Sequence, residues 1–118
     1  AAGLAALAAL KSAFFPVFDP ETKVIDYKQK TDEALPLVKE PLPVTVHKIG
    51  GSLFIDLTLE EEKAAEARLT ISSDPDGTIS ALQKGGSAPL TFAEIESMID
   101  LALEKATFLR KALNTSVA

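Results

Sequence analysis

The chain has no cysteine and no tryptophan, one histidine, and an aromatic content of only 6%. Without cysteine it can form no disulfide, no thiolate nucleophile and no cysteine-based zinc site, and a single histidine excludes a histidine-rich metal centre. No apolar run approaches the ~18 residues of a membrane-spanning helix. The lack of cysteine fits a reducing compartment, and we therefore expect a cytoplasmic location.

Basic residues are also scarce, with 12 Lys and Arg against 17 Asp and Glu, which gives a net charge of −5 and a pI near 4.8. Because binding to phosphates needs clustered Lys and Arg, the chain alone is not expected to bind nucleic acid broadly. A basic surface on a partner chain could supply those contacts. The 118 residues, 47% of them apolar, are enough for one core, so we expect a single domain over residues 1–118.

The first third of the chain is the least regular part. The sequence predicts a helix over residues 1–14 that is stopped by Pro16. Small apolar residues lie on most sides of this helix, so we expect it to be buried on most sides. Residues 16–41 hold four prolines, and within them the stretch DPETKVIDYK predicts at most a short edge hairpin.

The remainder predicts two hairpins and a long helix. VTVHKI and SLFIDL flank Gly50-Gly51, and ARLTISS and TISALQK flank the turn sequence DPDG at residues 74–77. Thr91 and Glu94 form a capping box for a helix that we expect to end near Asn114. Its predicted buried stripe consists of Phe92, Ile95, Ile99, Ala102, Ala106, Leu109 and Leu113. We therefore predict an α+β fold, with an antiparallel sheet of two hairpins packed against the N-terminal and C-terminal helices.

The densest group of acids is Asp56 with Glu60, Glu61 and Glu62. Paired carboxylates can hold Mg²⁺ or transfer protons. Acids are equally common in a solvated loop or helical turn between strands, and the pattern alone favours that interpretation.

The other polar candidates carry weaker signals. His47 has no cysteine or second histidine to work with, so we expect a packed or edge histidine rather than a general base. QKGGSA, residues 83–88, has glycines, a lysine and a serine as phosphate-binding loops do, but it lacks the spacing of a Walker loop, so the pattern favours a strand-to-helix connection over phosphate binding. Arg68 is expected to pair with Glu66 or a neighbouring acid. No nucleophile-elbow motif surrounds the remaining candidates, Ser12, Ser72 and Ser87.

Residues 42–113 as a set resemble the C-terminal half of the RNase PH family, and most of all its non-catalytic exosome ring subunits of archaea. Four features carry this resemblance. A K-[IV]-G hairpin leads to a strand ending at Asp56, and a D-x-[ST]-x-E-E-E run follows it. A-[RK]-L-T then begins a strand pair that closes on [LM]-Q-K-x-G, and LTFAEIE opens the long helix. AAGLAALAAL is similar to the family's central helix.

The resemblance implies half of a fold that joins a ribosomal S5 domain 2-like part to a C-terminal domain, so we expect a preceding portion outside this chain. It implies a non-catalytic structural and RNA-guiding subunit of a hexameric exosome ring, which degrades and processes RNA from the 3′ end by phosphorolysis. The implied partners are a catalytic RNase PH-like ring subunit of Rrp41 type and RNA. The assembled complex would need inorganic phosphate and a divalent metal such as Mg²⁺, with no cofactor bound by this chain.

Catalytic family members carry two aspartates whose positions fall here at Glu62 and Arg68, six residues apart. The resemblance therefore implies that this chain has no catalytic residue and no metal site, because a cation repels the metal that the second acid would help to bind. Two alternatives remain open. One is an active RNase PH-like phosphorolytic exoribonuclease that uses Glu60, Glu61 or Glu62 with Mg²⁺. The other is a stand-alone protein-interaction domain.

Overall fold

The computed structural model describes residues 1–117, and in them three helices and six strands. Their order along the chain is α1 (Ala2–Lys11), β1 (Phe14–Asp19), β2 (Val24–Ala34), β3 (Leu42–Ile49), β4 (Ser52–Phe54), α2 (Leu59–Lys63), β5 (Ala67–Ser73), β6 (Ile79–Gly85) and α3 (Phe92–Val117). The antiparallel sheets and the helices at either end confirm the predicted α+β class. None of the described helices is long and apolar enough to cross a membrane.

The two predicted hairpins form one antiparallel sheet with the strand order β4-β3-β5-β6. Glycine at the first turn is required because Gly50 and Gly51 have φ of 55° and 81°. The central pair, β3 with β5, brings Val44 opposite Ile71 and His47 opposite Arg68. This pairing joins segments that are far apart in sequence and aligns their alternating faces.

One face of the sheet forms the core with α3. Apolar side chains alternate along β3 and β5, and they pack against one stripe of the helix. The buried cluster comprises Leu42, Val44, Val46, Leu69 and Ile71 of the sheet, Met98, Ala102, Ala106 and Leu113 of α3, and Leu7 of α1.

The predicted stripe of α3 is wrong at its first position, because Phe92 is 89% exposed while the unpredicted Met98 is fully buried. At about 100° per residue, Phe92 falls at the margin of the face that Met98 and Ala102 define, and it lies in the first turn. The helix also continues beyond Asn114 to Val117.

Two expectations for α1 are wrong. The helix ends at Lys11, where the hydroxyl of Ser12 donates to the carbonyl of Ala9, and Pro16 lies inside β1 instead of stopping the helix. Only Leu7 is buried in α1, because the helix packs mainly against β3 and α3, on one of its sides.

The predicted short edge hairpin is in fact a separate two-stranded sheet, β1 with β2, whose pairing is irregular around Pro16. The carboxylate of Asp19 shapes its turn by accepting from the amide of Glu21 at 2.9 Å and from the hydroxyl of Thr22 at 2.6 Å. These hydrogen bonds, that of the Thr22 hydroxyl above all, lower the pKa of Asp19. The hairpin exposes large apolar side chains, among them Phe18, Val24 and Tyr27.

Candidate functional site

The face of the sheet turned away from α3 carries a cleft of about 300 Å³. Since side chains alternate along a strand, the residues between the core positions of β3 and β5 project to this face. His47 and Arg68 are direct partners in the register of these strands, so they stand side by side there. The cleft is lined by Thr45, His47, Glu62, Ala65, Ala67, Arg68 and Gly86.

The short helix α2 brings Glu62 to the cleft. Thr58 is its N-cap, and its hydroxyl accepts from the amide of Glu61 at 3.3 Å while the carboxylate of Glu61 accepts from the amide of Thr58 at 2.7 Å. Hydrogen bonding to Thr58 favours the charged form of the Glu61 carboxylate. The backbone amide of Thr58 is the main cause of the lowered pKa of Glu61, and the Thr58 side chain is the second cause. The reciprocal cap fixes where the helix starts and therefore where Glu62 lies.

The acidic cluster of the sequence is thus divided. Glu61 is engaged in the cap, Glu60 pairs with Lys63 at 3.5 Å, and only Glu62 lines the cleft. The interpretation of the run as a polar helical turn is confirmed. Within residues 1–117 no three acidic or histidine side chains converge in a group that could hold a metal ion.

Of the glycine pair in QKGGSA, Gly86 lines the cleft and Gly85 lies against the side chain of Arg68. A Cβ at Gly85 would lie 2.6 Å from Cζ of Arg68, so only glycine lets the guanidinium lie against this part of β6. Gly86 has φ of 85°, and a Cβ there would lie 2.7 Å from the carbonyl oxygen of Glu66. Gln83–Gly85 belong to β6 and the residues after them form the predicted connection to α3.

The expected pair between Arg68 and Glu66 does not form. The carboxylate of Glu66 instead accepts from the amide of Gly50 at 2.7 Å, which ties the β3–β4 turn to the start of β5. In the part of the chain that the structure describes, Arg68 makes no ion pair or hydrogen bond with any side chain.

His47 is the most deeply buried polar side chain of the cleft, with 8% of its surface exposed. It is a packed histidine, as predicted. Its Nδ1 is buried and has no hydrogen-bond partner among the described residues. A buried polar atom left unsatisfied typically costs about 1–3 kcal/mol, so the polar lining of the cleft is incomplete in the chain by itself.

The family resemblance paired Glu62 with Arg68, but sequence reasoning singled out His47 separately and did not bring it together with them. The signal that could have done so is the alternation of β3, which puts Thr45 and His47 on the face opposite Val44 and Val46. The missing information was the register between β3 and β5. None of the three candidate serines lines the cleft.

Comparison with known proteins shows the family to which this chain belongs. The profile described as the 3′ exoribonuclease family, domain 2, the C-terminal domain of RNase PH proteins, matches residues 39–105 and so covers more than half of the chain. The chain belongs to the RNase PH family. The matched range contains every residue that lines the cleft, while α1 and the β1–β2 hairpin lie outside it.

Curated relatives and solved structures show which kinds of protein in this family the chain is similar to. The chain is 40% identical to the exosome complex component Rrp42 of Thermococcus onnurineus over 99% of its own length and 43% of the relative's. It is 43% identical to the exosome complex component Rrp42 of Methanosarcina acetivorans, over 91% and 38% of the two chains. A structure of the Archaeoglobus fulgidus exosome with RNA bound to the active site matches with a TM-score of 0.72 and 28% identity, over 92% and 40% of the chains.

These similarities confirm the resemblance to RNase PH proteins and, within them, to Rrp42-type exosome components. The chain spans about two fifths of the length of the curated relatives it matches.

Proposed function

We propose that this chain is part of a non-catalytic ring subunit in an exosome-type complex that degrades and processes RNA from the 3′ end by phosphorolysis. Its membership of the RNase PH family and its similarity to archaeal Rrp42 components support the proposal. The observation that carries it is Arg68, a cation in the cleft where the family resemblance expects the second catalytic acid. A guanidinium in the same cleft as Glu62 opposes the binding of a divalent metal there.

The proposed role is architectural. The subunit would complete the interface with a catalytic, Rrp41-type ring subunit and help to guide RNA, in a hexameric, cytoplasmic complex. Inorganic phosphate and a divalent metal such as Mg²⁺ would act in the partner's active site. The net charge of −5 supports a division of labour in which other parts of the assembly supply the basic contacts to RNA.

The natural protein that contains this chain, purified from its own cells, provides the test. We expect it to elute in a large complex together with a second RNase PH-like protein. A small free species with the mass of this chain alone would contradict the ring proposal and favour a stand-alone interaction domain.

The activity test uses end-labelled RNA with phosphate and Mg²⁺, and it measures the release of nucleoside diphosphates. We expect no phosphorolysis from this subunit alone and full activity only when the catalytic subunit is added. Equal activity of the catalytic subunit with and without this one would count against the architectural role. Metal-dependent cleavage by the subunit alone, lost in Glu62→Gln but kept in Glu60→Gln, would establish the active-enzyme alternative instead.

A further inference from the structure

We propose that the cleft on the outer face of the sheet is a binding site for a guanine base. Two of its side chains, Arg68 and Glu62, carry the inference, and a third, His47, leaves a buried polar atom in the cleft without a partner. Arg68 and Glu62 line the same cleft, yet they form no salt bridge with each other within the described residues, so space separates them. His47 lies between strands β4 and β5 with a buried, unpartnered nitrogen.

The fold brings the two charged groups to the same cleft. The guanidinium of Arg68 lies against Gly85, in a space that any other residue at that position would fill. Glu62 lies on α2, whose starting point is set by the capping box of Thr58 and Glu61. Among the described residues neither side chain has a hydrogen-bond partner in the protein, so both keep their bonding capacity for a ligand.

The charges exclude the simplest ligands. A lone phosphate would be attracted by Arg68 but would face the carboxylate of Glu62, and a lone metal cation would face Arg68. A neutral ligand that presents acceptors to the guanidinium and donors to the carboxylate leaves both charges compensated. The volume of about 300 Å³ lies at the small end of the ~300–1,000 Å³ range of ligand sites, as a single base would require.

Guanine is the base whose edges match both groups. Its O6 and N7 accept the two parallel N–H bonds of an arginine, the commonest specific contact to this base. Its N1–H and N2 amino group lie next to O6 and can donate together to the two oxygens of a carboxylate. Adenine, cytosine and uracil each have only one donor group on the edges that carry their acceptors. Each of them can therefore make a paired hydrogen bond with the guanidinium or with the carboxylate, but not with both.

The guanine could belong to a free nucleotide or to an unpaired position in RNA, since the base chemistry is the same in both. The inference goes beyond the proposed function and does not depend on it. Its test measures the binding of a base and not the assembly of a ring, so a failure here leaves the ring proposal untouched, and a failure of ring assembly leaves the base site untouched.

The experiment is a calorimetric titration of the natural protein that contains this chain with guanosine monophosphate, repeated with the inosine, 7-deazaguanosine and adenosine monophosphates. Inosine lacks the N2 donor and 7-deazaguanosine lacks the N7 acceptor, so each should bind more weakly than guanosine, and adenosine about tenfold more weakly or worse. Short oligonucleotides of unpaired guanosine or adenosine form the second arm. Tighter binding of the guanosine oligonucleotide than of the monophosphate identifies RNA as the source, and the reverse order identifies a free nucleotide.

Variants assign the binding to the cleft. Glu62→Gln should weaken guanosine binding about tenfold, and so should Arg68→Lys, which keeps the charge but loses the planar fork. Glu60→Gln is the matched control, because Glu60 lies on the same helix outside the cleft and its loss changes the charge equally. Amide spectra show whether each variant is folded, and the base series on the unmodified chain decides the question if a variant is not.

The proposal would be overturned by no saturable binding of guanosine monophosphate, by equal binding of the adenosine and guanosine monophosphates, or by equal effects of Glu62→Gln and Glu60→Gln. Inorganic phosphate that binds as tightly as guanosine monophosphate would also overturn it, since the cleft would then be a plain anion site.

Discussion

Asp74 follows the end of β5 that lies far from the cleft, and it connects three segments of the chain. It is 8% exposed, and its carboxylate accepts from the hydroxyl of Ser80 at 2.5 Å and from the amide of Glu40 at 3.2 Å. Arg110 of α3 donates to the neighbouring carbonyl of Ser73. A single buried acid therefore joins the β5–β6 turn to the segment that enters β3.

We predict that Asp74→Ala lowers the free energy of unfolding by about 1–3 kcal/mol, because it removes the buried carboxylate that accepts the part-buried hydrogen bonds from Ser80 and Glu40. Denaturant unfolding measures the change. Asp76→Ala is the control, since Asp76 is exposed in the same turn and caps only Thr78. Similar losses in the two variants would show that the turn, and not the buried network, sets the cost.

Glu94 is a second residue with a measurable role. Its carboxylate pairs with Lys48 at 2.6 Å and accepts from the amide of Thr91 at 2.8 Å, and the Lys48 hydrogen bond is the main reason that the pKa of Glu94 is lowered from 4.5. A lowered pKa in the folded state means that the charged carboxylate stabilises the fold above pH 4.5. That contribution is lost as the pH falls below 4.5 through the folded-state pKa.

We therefore predict that the free energy of unfolding falls less steeply with falling pH in Glu94→Gln than in the unmodified protein, in the range below pH 4.5. Unfolding measured over a pH series checks this. Glu96→Gln is the matched control, because Glu96 is exposed on the same helix and makes neither contact. A parallel shift of the whole curve, without a change of slope, would contradict the assignment.

At the scale of elements, the two capped helices differ in what they cover. Both begin with the same reciprocal bonding, from Thr58 to Glu61 and from Thr91 to Glu94. The longer helix, α3, supplies several buried side chains to the core, whereas α2 has none. Loss of a cap should therefore have different consequences in the two helices.

We predict that Thr91→Ala lowers the free energy of unfolding by about 0.5–2 kcal/mol, the usual cost of an N-cap, while Thr58→Ala leaves it nearly unchanged. Thr58→Ala should instead weaken guanosine binding, because Glu62 loses its fixed position. Denaturant unfolding and the calorimetric titration read the two effects separately. A Thr58→Ala variant as unstable as Thr91→Ala would show that α2 is part of the cooperative core.

The elements that the sequence predicted well are those with local signals. Gly50-Gly51, the turn at residues 74–77 and the T-x-x-E box that begins at Thr91 each fix structure within a few residues, and the structure has a turn or a helix start at each. α1 was misjudged because apolar composition does not say how many sides of a helix find a partner. The β1–β2 hairpin was underestimated because prolines obscure strand patterns.

The site was harder to predict than the fold. The family resemblance pointed to Glu62 and Arg68, but the cleft also depends on the β3–β5 register and on the space left at Gly85. Both are contacts between segments distant in sequence, which neither periodicity nor turn chemistry specifies. The assignment of Glu62 and Arg68 to the positions of two catalytic acids stays a prediction, as does the single domain over residues 1–118.

At the scale of the whole molecule, the described residues form an elongated body of 62 × 26 × 23 Å. The β1–β2 hairpin exposes several large apolar side chains, Phe14, Phe15, Val17, Phe18, Val24, Ile25 and Tyr27. Such a concentration of exposed apolar groups is typical of a surface that meets another protein.

We predict that the chain associates with itself as its concentration rises, and that Phe18→Ser weakens this association. Sedimentation over a concentration series provides the measurement. Phe92→Ser is the matched control, because Phe92 is at least as exposed but lies on α3 outside the hairpin. A clean monomer at high concentration would contradict the prediction.

The same hairpin has a consequence for how the protein opens. Its close contacts run chiefly between its own two strands, and a two-stranded ribbon alone is marginally stable in water. Its amide hydrogens should therefore exchange with solvent by local opening, while those of β3 and β5 should exchange only when the whole sheet unfolds. Hydrogen exchange followed by mass spectrometry would then show two populations of amides. Equal protection in the two would mean that hairpin and sheet unfold as one unit.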